Sequence, residues 1–131
     1  MRLSNRAFFF AIAGTIGFLV DAGILTALVF IGGDPRPSRL LSFAAAVTVT
    51  WLVNRRLAFG DRAAKPSLME FARYLGASAL GAVINLVVYF VLVTYGAPFS
   101  TNPVLALAIA TSVSMAFNFW IYLSVVFRKR T

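Results

Sequence analysis

The sequence has no cysteine and no histidine among its 131 residues. The first absence excludes disulfides, thiolate nucleophiles and cysteine-based metal sites. The second removes the commonest metal ligand and general base. Acid is scarce too: Asp21, Asp34, Asp61 and Glu70 face twelve Lys and Arg residues, for a net charge of +8. The four carboxylates are scattered along the chain and offer no acid/base pair. No Ser-His-Asp or Cys-His set can be assembled. The stretch Gly14-Thr15-Ile16-Gly17 lies inside an apolar run, so it is no nucleotide-binding loop. The composition predicts a protein that is not an enzyme and calls for no metal or cofactor.

What is present is apolar. Hydrophobic residues make up 60% of the chain and charged residues only 12%, with a mean hydropathy of +0.87. Soluble domains carry about a quarter charged residues, and a chain this small has too little interior to hide so much apolar surface. The bilayer is the expected solvent. The basic residues sit at the ends of apolar runs, which points to anionic membrane lipids as their partners and not to nucleic acid. Arg2 and Arg6 precede an apolar run over residues 7–31. That run is longer than a typical signal core and lacks a clear small-x-small cleavage site followed by a polar chain, so it reads as a retained helix.

Four spans follow. The first covers residues 7–31 and is broken only by Asp21; Gly and Pro residues in the loop 32–38 end it. The second begins near Leu40, but its clean apolar stretch stops at Val53. Those 14 residues reach about 21 Å of a roughly 30 Å core. The span must therefore run on through Asn54, Arg55 and Arg56 to about Phe59, with the two arginines snorkelling at the interface. The third covers residues 71–95 and the fourth 103–127, with Pro103 suited to a first helical turn. Arg2, Arg6, Arg55, Arg56, Arg62, Lys65, Arg73, Arg128, Lys129 and Arg130 fall on one side, and only Arg36 and Arg39 on the other. The excess marks the cytoplasmic face. The fold class is an all-α membrane protein with four transmembrane helices and both termini inside.

The halves resemble each other. At an offset of 64, Ala13 and Gly17 map onto Ala77 and Gly81, Phe10 onto Tyr74, and Asp21 onto Asn85. Leu28, Val29 and Gly32 map likewise onto Leu92, Val93 and Gly96. In the second helix of each half the offset becomes 68, pairing Trp51 with Phe119 and Phe59 with Phe127. The expected plan is repeat one over 6–59, a cytoplasmic connector over 60–70, and repeat two over 71–127. Each unit has two spans, so both share one topology, about an axis along the membrane normal. Ala13-x-x-x-Gly17 and Ala77-x-x-x-Gly81 let backbones approach closely, either within the bundle or across a dimer face.

Few residues offer chemistry. Asp21 lies deep in the first span, where a charged carboxylate costs about 2.5–3.5 kcal/mol and needs a partner or a proton. It is a candidate substrate, proton or ion site, or else a carboxyl hydrogen-bonded to a neighbouring helix, with Asn85 as the matching candidate partner. Asn54, Arg55 and Arg56 place two guanidiniums at headgroup depth, suited to forking onto a phosphate or to plain anchoring. Asn118, in the fourth span, serves either interhelical hydrogen bonding or substrate contact. Trp51, Trp120 and Tyr122 are candidates for stacking on a sugar, or interface anchors.

These features together resemble the GtrA-like family of small bacterial membrane proteins. The family opens each half with a basic or aromatic residue and an apolar run holding Gly and an Asp or Asn. It closes each half with a pattern like Asn-Phe-x-x-Asn-Arg-x-Trp-x-Phe. Here the first half has Arg6-Ala-Phe-Phe-Phe, Gly14, Gly17 and Asp21, and closes with Thr50-Trp51-Leu-Val-Asn54-Arg55-Arg56-Leu57-Ala58-Phe59. The second has Phe71-Ala-Arg73-Tyr74, Gly81 and Asn85, and closes with Asn118-Phe119-Trp-Ile-Tyr122-Leu-Ser-Val-Val-Phe127. Thr50 replaces the first Asn, Leu57 and Val125 replace the Trp, and Tyr122-Leu123 replaces Asn-Arg. The arginine signature survives in one half, making Asn54-Arg55-Arg56 the better phosphate candidate.

The resemblance implies a role in flipping a polyprenyl-phosphate-linked sugar across the bacterial cytoplasmic membrane for cell-surface polysaccharide such as O-antigen. A membrane glycosyltransferase that loads the lipid is the implied partner. Four helices leave little room for a polar path, so a homodimer or assembly with that enzyme is expected. Two other readings stand beside it: a non-transporting anchor of the glycosyltransferase, and a small multidrug-type cation exporter working through Asp21. The surrounding positive charge argues against the exporter.

Overall fold

Apart from Arg6 and Asp21, nothing charged interrupts residues 3–30, and no proline does. The chain coils there into one helix, α1 (Leu3–Phe30). Its end is set by Gly32, which takes φ +91, a conformation open to glycine and strained for other residues. The Gly33 N–H donates to the Leu28 carbonyl at 2.9 Å and the Gly32 N–H to that of Val29 at 3.0 Å, the paired bonds of a Schellman stop. Asp34 then caps α2 (Pro35–Val53) by accepting from the Arg36 N–H at 2.8 Å. The computed structural model describes residues 1–128; Lys129 and Arg130 of the expected cationic rim lie outside the described residues.

Beyond Val53 the helix continues, as the length argument requires, but in a wider form. Residues Asn54–Ala58 make a π-helical turn, closed by the Phe59 N–H donating to the Asn54 carbonyl at 2.9 Å. After the connector, Ser67 starts α3 (Leu68–Tyr95) by accepting from the Glu70 N–H at 3.1 Å. Pro103 opens α4 (Pro103–Ile121), which runs into a second π turn, Tyr122–Val126. Phe127 closes it on the Tyr122 carbonyl at 2.8 Å. The elements match in length: 28 residues for α1 and α3, 19 for α2 and α4, five for each π turn.

The described residues divide into two compact units, 1–71 and 72–128. The division falls just inside α3, so the connector packs with the first hairpin. In that hairpin Gly17 lies against Thr50 and Ala46 of α2; Ala13 is fully buried. In the second, Gly81 lies against the Asn118 side chain, and Ser78 meets Tyr122. The small-residue motifs thus serve helix packing within each hairpin.

Large apolar side chains cover the outside: Phe18 is 70% exposed, Phe30 89% and Phe90 62%. Such surface belongs in a bilayer. The protein is a membrane protein. Three helical segments, Leu3–Phe30, Leu68–Tyr95 and Leu105–Val126, are long and apolar enough to cross one. α2 is the odd one, with Arg36, Arg39 and a run of Ser and Thr. Several of its hydroxyls donate back to their own helix, Thr48 to Ala44 at 2.8 Å and Thr50 to Ala46 at 2.9 Å, which lowers the cost of placing them in an apolar medium.

Candidate functional site

Helical spacing puts Trp51 at the end of α2 and Arg55 in the π turn that continues it on one face, one turn apart. Both reach Glu70 in the first turn of α3. The Arg55 Nε donates to Glu70 Oε1 at 2.8 Å and the Trp51 Nε1 to the same oxygen at 3.0 Å. Arg55 Nη2 donates to Oε2 at 3.5 Å and to the Ala64 carbonyl. Its guanidinium lies 6.0 Å over the Trp51 ring, whose edge meets Phe71 at 5.1 Å. Arg55 and Glu70 side chains are only 11% and 9% exposed. Buried charges persist when paired this way.

The expected phosphate trio is therefore divided. Asn54 is buried at 2% exposure, and Arg55 is committed to Glu70. Arg56 is the exposed member, with no ion pair among the described residues. Beneath them Arg6, itself buried, forks onto Asp61, Nη1 to Oδ1 at 2.8 Å and Nη2 to Oδ2 at 2.5 Å. It also donates to the Ala58 carbonyl at 3.1 Å, tying the π turn to α1. Hydrogen bonding from Arg6, reinforced by its charge, holds the Asp61 carboxyl far below the usual carboxylate range, against a smaller opposing effect of burial.

Inside the spans Asp21 and Asn85 are also paired. The partner that the structure gives Asp21 is Arg39, which grips both carboxylate oxygens with Nη1. By the charge count Arg39 falls on the outer side, just before a second span expected to begin near Leu40, and Asn85 is the candidate partner of Asp21. In fact Arg39 lies one turn inside α2, within a long side chain's reach of mid-α1. Asn85 spends its Nδ2 on Thr111 and Ser114 of α4, each at 3.3 Å. Asn118 packs on Gly81 with a buried Oδ1 that has no hydrogen bond among the described residues. Tyr122 is 3% exposed; its ring stacks on Tyr74 at 4.3 Å and its hydroxyl meets Ser78 Oγ at 2.5 Å. That face is covered, so Tyr122 is placed as a packing residue. Trp51 is held by Glu70 but keeps one side toward an open groove.

The sequence pattern of the GtrA/DPMS transmembrane domain matches residues 9–127. The chain belongs to that family. No curated protein matches the chain. Membership points to a membrane function related to polyprenyl-phosphate sugars. A groove lies beside Trp51. It holds about 370 Å³ and is lined by Thr48, Trp51, Pro66, Ser67, Leu68 and Phe71. No cluster of three metal-ligating side chains occurs among the described residues.

Two site residues escaped the sequence reading. Glu70 sits in Ser67-x-x-Glu70, a helix-start signature that fixes it in a first turn, next to an Arg-rich helix end needing a counter-charge. Arg39 was legible as an arginine four residues past Pro35, too far into a helix to be a loop residue.

Proposed function

We propose that the chain takes part in moving a polyprenyl-phosphate-linked sugar across a bacterial cytoplasmic membrane, with four spans in two like hairpins and both termini inside. The observation that carries this is the state of the inner end of α2 in a member of this family. Arg55 is neutralised by Glu70, and Arg56 beside it is exposed and uncommitted. A guanidinium rigidly presented at headgroup depth suits a lipid phosphate, which two N–H groups can grip at once. Arg55, Trp51 and Glu70 position the turn; Arg56 makes the contact. The pairing of Asp21 with Arg39 supplies a charge-balanced polar spot within the hairpin, and Asn85 and Asn118 offer neutral polar groups in the second. The same pairing weighs against a cation exporter, since the carboxylate already has its cation.

The test is reconstitution of the purified chain in liposomes with a lipid-linked sugar on one leaflet. Transfer to the other leaflet, reduced at least tenfold by Arg56→Ala (about 1.4 kcal/mol), supports the proposal. Absence of transfer by well-folded protein would sink it.

That result would favour the second reading, an anchor for a glycosyltransferase. One observation speaks for it: the connector is held by Arg6–Asp61 and Arg55–Ala64, and the first turn of α3 that follows it presents Leu68 at 83% and Met69 at 62% exposure.

A further inference from the structure

Arg39 near the start of α2 and Arg55 in the π turn that follows it each meet a carboxylate from another part of the first hairpin unit. They differ in how much of the guanidinium is used. Glu70 and Ala64 occupy Arg55 through Nε and Nη2, the edge that forks onto oxyanions. Asp21 occupies Arg39 through Nη1 alone. The Nε and Nη2 of Arg39 have no partner among the described residues, and its side chain is 54% exposed. The next two residues of α2, Leu40 and Leu41, are 72% and 61% exposed, so this stretch of the helix presents apolar surface of the kind a bilayer covers. Guanidinium N–H groups left without acceptors in such surroundings are costly. A phosphate presents two oxygens at the spacing of that edge.

We propose that Arg39, with Asp21 as its resident counter-charge, is a phosphate-binding site, distinct from Arg56 and roughly 25 Å from it along the helix. The ligand is a phosphate group, carried on a lipid headgroup or free in solution. Asp21 keeps Arg39 balanced when the edge is empty and weakens the anion's hold through its own negative charge. Ordinary snorkelling depends on charge alone; this site depends on the fork.

The experiment uses the full chain in detergent and counts bound dioleoyl phosphatidic acid by native mass spectrometry. Removing Asp21's charge with Asp21→Asn tightens binding several-fold. Arg39→Lys, which keeps the charge and loses the fork, weakens it about tenfold. The double variant Asp21→Asn/Arg39→Gln leaves no unpaired charge to disturb folding and loses one bound lipid. Arg36→Gln, one turn earlier, leaves the count unchanged. Competition by inorganic phosphate assigns the site to phosphate in general, and its failure to compete assigns it to the headgroup. An unchanged count in the double variant, or an equal loss in Arg36→Gln, would overturn the proposal. The readout is binding, so it is decided apart from translocation.

Discussion

Residues 1–71 hold all four carboxylates and the ion pairs Arg6–Asp61, Asp21–Arg39 and Arg55–Glu70. Residues 72–128 hold no acid at all. There the corresponding work falls to neutral groups: Asn85 with Thr111 and Ser114, Ser78 with Tyr122, and the Tyr74–Tyr122 stack. The helices are equal in length and both end in a π turn, yet one hairpin is fastened by charge and the other by aromatic packing. A charge in an apolar medium must be matched or it is expelled. A lone arginine added to a stable scaffold would be a liability, whereas three matched pairs allow further cations, such as Arg56, to be presented rigidly.

The comparison breaks most sharply at Glu70. Glu70→Ala leaves Arg55 buried without its counter-charge, and a loss of about 3–5 kcal/mol is expected. Arg55→Met/Glu70→Leu should recover most of it. Denaturant unfolding in detergent checks both.

Next in size are the glycines, where the hairpins should behave alike. A Cβ on Gly17 would collide with the Thr50 methyl, and one on Gly81 with the Asn118 amide. Each Gly→Ala change should cost about 1–3 kcal/mol. Thr50→Ser should rescue the first and Asn118→Ser the second. Rescue across the wrong pair would refute these packing assignments.

Smaller still is Tyr122→Phe, confined to the second hairpin, which removes the hydroxyl bond to Ser78 at a cost of about 1 kcal/mol. Acid should act only on the first. Because Arg6 depresses the Asp61 pKa, its stabilisation is full above the ordinary carboxylate range near 3.9 and fades as pH falls below it. The stability gap between wild type and Asp61→Asn should therefore be wide at neutral pH and narrow in strong acid.

Much of this was legible beforehand. Apolar run lengths located the helices, and the need to reach across a bilayer predicted that α2 continues past Asn54. The offsets of 64 and 68 paired Gly17 with Gly81 and Phe59 with Phe127, and the structure buries all four. The π form of the two turns was not legible, because a one-residue widening leaves no mark on an apolar pattern. Nor were the ion-pair partners. Asp61, Glu70 and Arg39 lie 15–55 residues from their mates, and local spacing cannot choose among distant charges. Of Asn54-Arg55-Arg56, the sequence marked three equivalent polar residues; only packing separates the buried, the paired and the exposed.

The central claim is that Arg56 of the first hairpin, not Arg73 of the second, meets the phosphate of the lipid-linked sugar. Arg56 and Arg73 are both exposed arginines on helices. The direct measurement is outer-face labelling of the lipid-linked sugar in cells carrying Arg56→Ala or Arg73→Ala at matched expression. The account predicts that Arg56→Ala loses outer-face sugar while loaded lipid accumulates inside, and that Arg73→Ala retains it. Equal loss in both, or normal labelling in Arg56→Ala, would contradict it.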